Sequence, residues 1–164
     1  QEPDMIQKLQ DEDALPTQLY LSTNAADYES FIKINKPKYD DSWERWNRTL
    51  DMLKNLDTRT VLRITLIRNY NDQKEMIPAF ADMFRKASPH FIEIKSYMHI
   101  GRSTNRLEHE NMLEMHEVKK FSEQIAKQSK IFSIMDESLV SRISILQNNE
   151  RFIDRWIPTY ANTN

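Results

Sequence analysis

A chain of 164 residues carrying a net charge of −2 fits one domain with a modest core, and it lacks the basic balance of a protein that holds nucleic acid by charge alone. A single Gly excludes a P-loop or a dinucleotide fingerprint, and zero Cys excludes a disulfide framework and any cysteine-ligated iron–sulfur cluster held by these residues. No apolar run approaches a membrane span and no signal-peptide pattern is read, so a cytoplasmic location with no membrane partner is the expectation. The chain begins at Gln1 and runs at once into a helical pattern, which reads as a piece of something larger.

Residues 3–10 predict a helix with Asp4 in its first turn and Met5, Ile6 and Leu9 on one face. Pro16 then introduces a short strand over 18–22, and a helix follows over 27–34 until Pro37 stops it. Ser42 is the expected N-cap of a longer helix through Leu56, with Trp43, Trp46, Leu50 and Leu53 at three- to four-residue steps. Residues 58–67 are rich in β-branched side chains and predict a strand. A helix over 72–87, a strand over 91–97, a polar loop over 101–108 and a helix over 117–128 come next. Two late strands are expected at 130–135 and 141–146, with 152–157 capping the end and 158–164 as a frayed tail.

Strands separated by helices argue for βα units and a parallel sheet, hence an α/β fold. Three strands alternate where buried parallel strands usually run apolar throughout. Leu62, Ile64 and Leu66 oppose Arg63 and Thr65, and Ile92 and Ile94 oppose Glu93 and Lys95. With helices on the apolar side, the other side would line a polar interior that opens at the strand C-termini. An antiparallel sheet with one face in water gives the same alternation, but its hairpins do not suit the long helical connections.

The candidate site residues stand at those strand ends. Ser22-Thr23-Asn24 suits hydrogen bonds to sugar hydroxyls, and Arg68-Asn69-Tyr70-Asn71 closes the next strand. Lys95 beside Glu93 suits a Schiff-base amine or an anchor for phosphate or carboxylate, against the plainer reading of a Lys–Glu ion pair. Residues 101–106 could reach RNA phosphates, although such a run is more often a solvated loop. His90, His99, His109 and His116 are too scattered for a zinc signature.

Several strings in order carry a resemblance. They are Leu15-Pro16-Thr17-Gln18-Leu19-Tyr20-Leu21-Ser22, Ile34-Asn35-Lys36-Pro37, Trp43-Glu44-Arg45 and the run from Arg59 to Ile67. Phe91-Ile92-Glu93-Ile94-Lys95, Asn105-Arg106-Leu107 with Glu110-Asn111-Met112, and Ser141-Arg142 continue the series. Together they resemble the tRNA 4-demethylwyosine synthases of the wybutosine pathway over roughly residues 2–146.

The resemblance implies a partial TIM-like radical S-adenosylmethionine barrel, with 1–146 as its C-terminal half, 147–164 as an extension and the first strands missing from this chain. The implied activity is a lyase that joins pyruvate-derived carbons to N1-methylguanosine of tRNA(Phe). Its cofactors would be S-adenosylmethionine and a 4Fe-4S cluster whose CxxxCxxC ligands lie upstream. A flavodoxin-like reductase domain or protein accompanies some relatives. By position, Glu93 and Lys95 would face the reacting centre. Ser22, Asn24, Arg63, Thr65 and Asn71 would line the cofactor, and Arg102, Asn105 and Arg106 would approach the tRNA.

This sequence departs from the family's pattern at four places. Asn24 stands where relatives carry Asp, Arg68-Asn69 replaces Lys-Gly, Leu113-Glu114-Met115 replaces Pro-Trp-His, and Leu139-Val140 replaces Glu-His. A catalytically degenerate tRNA-binding relative, or a radical enzyme acting on another substrate, therefore stays open as an alternative.

Overall fold

The computed structural model describes residues 2–157. Five strands form one sheet in the order β1-β2-β3-β5-β4: β1 Gln18–Thr23, β2 Arg59–Leu66, β3 Phe91–Ser96, β4 Phe132–Ser138 and β5 Ile143–Asn148. The helices are α1 Pro3–Asp11, α2 Tyr28–Asn35, α3 Ser42–Leu53, α4 Ile77–Ala87 and α5 Met115–Ser129. The expected tail over 158–164 lies outside the described residues.

β1, β2 and β3 run parallel, with Ser22 opposite Arg63, Arg63 opposite Glu93 and Thr65 opposite Lys95. Each is followed by helix, which returns the chain to start the next strand on the same side. After β3, α5 returns the chain to β4, which also runs parallel to β3 but one strand position farther out, with β5 between them. β4 and β5 form an antiparallel pair, and β5 inserts antiparallel beside β3. The connection over 139–142 is too short for a parallel crossover, so β5 turns back on β4 as a hairpin and is the one strand of this sheet that is antiparallel to β1–β3.

Local signals explain most helix boundaries. Asp27 caps α2 by accepting the Ser30 backbone N–H at 2.9 Å. Glu114 and Glu117 form a reciprocal capping box that starts α5 at Met115, ahead of the 117 expected. Ser42 is the first residue of α3 rather than its cap, and the N-cap Asp41 makes no side-chain cap bond. Residues 74–76 form a 3-10 turn, and α4 begins only at Ile77, with Pro78 in the first turn where its missing N–H costs nothing.

The alternation sorts the two faces of the sheet. Leu21, Leu62, Ile64, Ile92, Ile94 and Leu146 are buried against Trp46, Leu50 and Leu53 of α3, Phe80 and Phe84 of α4, and Val118, Phe121 and Ile125 of α5. Phe80 meets Phe121 edge-on, with ring centroids 5.9 Å apart, where α4 and α5 pack together. Burying a side chain of this size contributes about 1.5–3 kcal/mol each.

The opposite face carries Tyr20, Ser22, Arg59, Arg63, Thr65, Glu93 and Lys95, and no described helix covers it. The segment over 149–157 crosses its lower end, at the strand N-termini. Arg59 donates to the carbonyls of Asp154 and Arg155 while its guanidinium lies 4.4 Å from the Phe91 ring centroid. Gln147 Nε2 donates to the Ile153 carbonyl at 2.9 Å. The upper end, at the strand C-termini, is left open.

Candidate functional site

The strand C-termini are fixed by one buried side chain. Asn71, fully buried just past β2, accepts the Ile67 N–H at Oδ1 (2.7 Å), and its Nδ2 donates to the carbonyls of Asn24 and Thr65, each at 2.9 Å. Asn24 Oδ1 in turn accepts the Thr65 N–H at 3.2 Å. The ends of β1 and β2 are therefore tied through side-chain amides. Asn71 commits both amide protons and one Oδ1 lone pair to backbone and has no exposed surface, so it positions Asn24 and Thr65 and does not itself reach a ligand.

A second set of contacts walls the opening. Arg68 Nη1 and Nη2 bind the two Glu117 oxygens at 2.6 Å each, while its Nε and Nη2 donate to the carbonyls of Glu110 and Met112. Arg142 donates to the Leu113 carbonyl at 3.1 Å, and Ser96 Oγ accepts the Leu113 N–H at 2.9 Å. These bonds strap the segment over 106–114 against the ends of β2 and β3. The Arg68 guanidinium holds the Glu117 carboxyl below its usual range.

Between these walls lies a cavity of about 450 Å³, within the range of small-ligand sites. Lys33, Lys36, Lys95 and Arg106 line it, with no carboxylate among the lining residues. Asn24, Thr65, Tyr70 and Tyr97 add polar and aromatic surface. Lys95 is the least exposed of the four cations, and it has no ion-pair or hydrogen-bond partner among the described residues. Four uncompensated cations in one concavity make a site for an anion.

Glu93 does not pair with its neighbour Lys95. It is 7% exposed, accepts Arg63 Nε at 2.8 Å and the Tyr20 hydroxyl at 3.2 Å, and is opposite Arg63 in register. The Arg63 guanidinium also lies over the Tyr20 ring, 4.7 Å from its centroid. Burial, and then the Glu93 charge, push the Tyr20 hydroxyl above its ordinary range. This triad sits one step down the open face from the cavity and fixes the orientation of Arg63.

Of the residues singled out in the sequence, the cavity brings together Asn24, Thr65, Lys95 and Arg106. Ser22 is exposed on the same face opposite Arg63. Arg102 and Asn105 are exposed on the 3-10 turn Gly101–Asn105 and do not line the cavity. Tyr70, named in the strand-end run after β2, also lines it, while Lys33 and Lys36 were missed. Charged residues on a short helix read as a solvated face, yet α2 follows β1, and the loops and helix ends after parallel strands build the open face of such a sheet.

No group of three or more His, Cys, Asp or Glu side chains suited to a metal occurs among the described residues. With no Cys in the chain, these residues do not fit an iron–sulfur cluster.

The wyosine base formation family matches residues 86–148, a stretch that includes β3, the strapped 106–114 segment, α5 and the whole of the β4–β5 hairpin. The tRNA 4-demethylwyosine synthase of Methanocaldococcus jannaschii is 41% identical over 153 residues, covering 92% of this chain and 45% of that one. A solved structure of TYW1 with a lysine–pyruvate adduct bound superimposes with a TM-score of 0.79 at 40% identity, over 92% of this chain and 45% of that one. The chain is similar to the C-terminal part of these synthases, and its residues 86–148 match the wyosine base formation model. Among plant proteins, the Oryza sativa synthase is 36% identical over 138 residues, 83% of this chain but 21% of its own length. The chain thus spans less than half the length of these relatives.

Within the wyosine family pattern, three of the four departures fall outside the cavity lining: Arg68-Asn69, residues 113–115, and Leu139-Val140 in the β4–β5 turn. Arg68 is the residue that straps the 106–114 wall. Only Asn24 stands at the cavity itself.

Proposed function

We propose that this stretch supplies the C-terminal strands and the anion-binding wall of a tRNA 4-demethylwyosine synthase. In that reading it is the C-terminal half, residues 1–146, of a partial TIM-like radical S-adenosylmethionine barrel, with 147–164 as an extension. The reaction is a lyase step that joins pyruvate-derived carbons to N1-methylguanosine of tRNA(Phe) in the cytoplasm, with electrons from a flavodoxin-like domain or protein. The observation that carries it is the carboxylate-free cavity with Lys95 unpaired at its inner side, in a chain whose relatives bear that activity in their names. Among the described residues, no helix is long and apolar enough to cross a membrane.

Both reactants are anions, and the cavity cations suit them. Lys95 anchors the pyruvate carboxylate, and Arg106, with Arg102 and Asn105 outside, faces the tRNA backbone. Glu93 acts through Arg63: its carboxylate fixes the guanidinium so that the remaining N–H groups of Arg63 point at a bound group rather than at water. For S-adenosylmethionine, the free Ser22 hydroxyl, the Asn24 Nδ2 and the Thr65 hydroxyl form a donor set suited to its ribose and amino-acid ends. That cofactor supplies the radical chemistry when bound; the cluster belongs to residues outside this chain.

The test is to exchange residues 2–157 for the matching stretch of the M. jannaschii synthase and follow the modified nucleoside in tRNA(Phe) by mass spectrometry. Product is expected, with loss on Lys95→Ala and a large drop on Glu93→Gln. Borohydride trapping of pyruvate on Lys95 would show a Schiff-base amine in place of a carboxylate anchor. A folded, tRNA-binding chimera that forms no product would instead favour the degenerate tRNA-binding relative.

A further inference from the structure

The geometry points to a nucleotide clamp on the α2 side of the cavity, formed by Lys33, Lys36 and Tyr70, that holds a residue of single-stranded RNA next to the reacting base. This rests on the synthase reading, which assigns the opposite side of the cavity, at β3, to the reacting centre.

Three observations carry it. Lys33 Nζ stands 5.5 Å from the centroid of the Tyr70 ring, so an ammonium and a half-exposed aromatic ring from different elements meet at the cavity wall. That pair offers the two things a nucleotide needs: a flat ring for the base, and N–H donors with positive charge for the phosphate. Lys36 is the C-cap of α2 in left-handed geometry (φ 46°), and it too lines the cavity. A left-handed C-cap is the natural place for Gly, and Lys36 keeps a side chain there. Finally, the chain as a whole is acidic, so general attraction cannot gather RNA to it; local charge must.

The shape fits an extruded or unstacked residue rather than a duplex. A cavity of about 450 Å³ takes a nucleotide and is far too small for a helix. The base lies against Tyr70, its 5′ or 3′ phosphate between Lys33 and Lys36, and the strand leaves over Arg106 across the mouth. Recognition of this kind is tolerant of base identity, because every base has a face to stack.

The experiment is fluorescence anisotropy of the chain with a labelled single-stranded RNA of about ten nucleotides over a salt series. Tyr70→Ala should weaken binding by roughly 5- to 100-fold, and Tyr70→Phe, which keeps the ring, should leave it unchanged. Lys33→Ala with Lys36→Ala should flatten the dependence of log K on log salt by about 1.4, since each single-strand phosphate contact contributes about 0.7. The same charge loss on α5, Lys120→Ala with Lys127→Ala, should leave the slope as it is. Equal slopes for the two double variants, or equal affinity for Tyr70→Ala and the parent, would overturn the clamp. Guanosine monophosphate binding as tightly as the RNA would also overturn it, in favour of a mononucleotide pocket. RNA binding that depends on Tyr70 and both lysines, in a chain whose chimera makes no product, would keep the clamp and remove the synthase reading.

Discussion

Replacing Asn71 by Ala removes three hydrogen bonds from a side chain with no exposed surface. The Ile67 N–H loses its acceptor in a buried place, at a cost of about 1–3 kcal/mol. The carbonyls of Asn24 and Thr65 each lose one donor, at about 0.5–1.5 kcal/mol apiece, less because a carbonyl has a second lone pair. A sum of about 4 kcal/mol is expected, or a fall in Tm of roughly 8–16 °C for a domain of this size. Asn71→Asp should do no better, because it keeps the acceptor for Ile67 but turns a carboxylate toward two carbonyl oxygens. Urea denaturation followed by circular dichroism reads the change as a lower midpoint at constant slope. A loss under about 1 kcal/mol, accompanied by abolished ligand binding, would refute the positioning role and make Asn71 a ligand contact.

Three further outcomes are expected. His90 has Nδ1 placed to accept the Thr60 N–H at 3.1 Å, and burial, then the charges of Arg151 and Arg59, push its imidazole down from 6.5 to about 4. The unfolded chain therefore binds a proton that the folded one refuses between those values, so stability falls as pH drops from about 6.5 toward 4, on the order of 3 kcal/mol in all. Urea midpoints across that window should show the fall, and His90→Gln should flatten it; parallel profiles would count against the account. Lys130 is an exposed C-cap of α5 at φ 65°, so Lys130→Gly should raise stability by about 0.5–1 kcal/mol in thermal melts, and a fall would show that the turn is not strained. Arg68→Ala should speed hydrogen exchange of the amides over 106–114 while leaving β2 and β3 protected; unchanged exchange would mean that Arg142 and Ser96 suffice to hold the wall.

The legible part of the site was the part written in strand alternation. Arg63, Thr65, Glu93 and Lys95 could be placed on one face from period two alone, and the structure puts them there. Which of them pair was not legible. Glu93 is adjacent to Lys95 in the sequence pattern, but its register partner across the sheet is Arg63, and the salt bridge follows the register. Lys33 and Lys36 were hidden for a different reason. Their cations serve a cavity whose far wall, at Tyr97 and Arg106, comes from more than sixty residues away. The nearly glycine-free composition also obscured the turns, since Lys36, Asn69, Ser88, Lys130 and Arg142 take the positive φ values that Gly would have marked.

By itself the sequence determined the βα order of the first three strands, the helix faces and the polar side of the sheet, because these follow from side-chain period and from connection length. It also carried the family resemblance, string by string. Only the tertiary structure decided that the last strand turns back antiparallel and inserts between β3 and β4, that Asn71 is a bracket and not a contact, and that four cations converge with no carboxylate between them. Each of these depends on which distant backbone a side chain meets, and that is set by strand register and packing, which local preference does not encode.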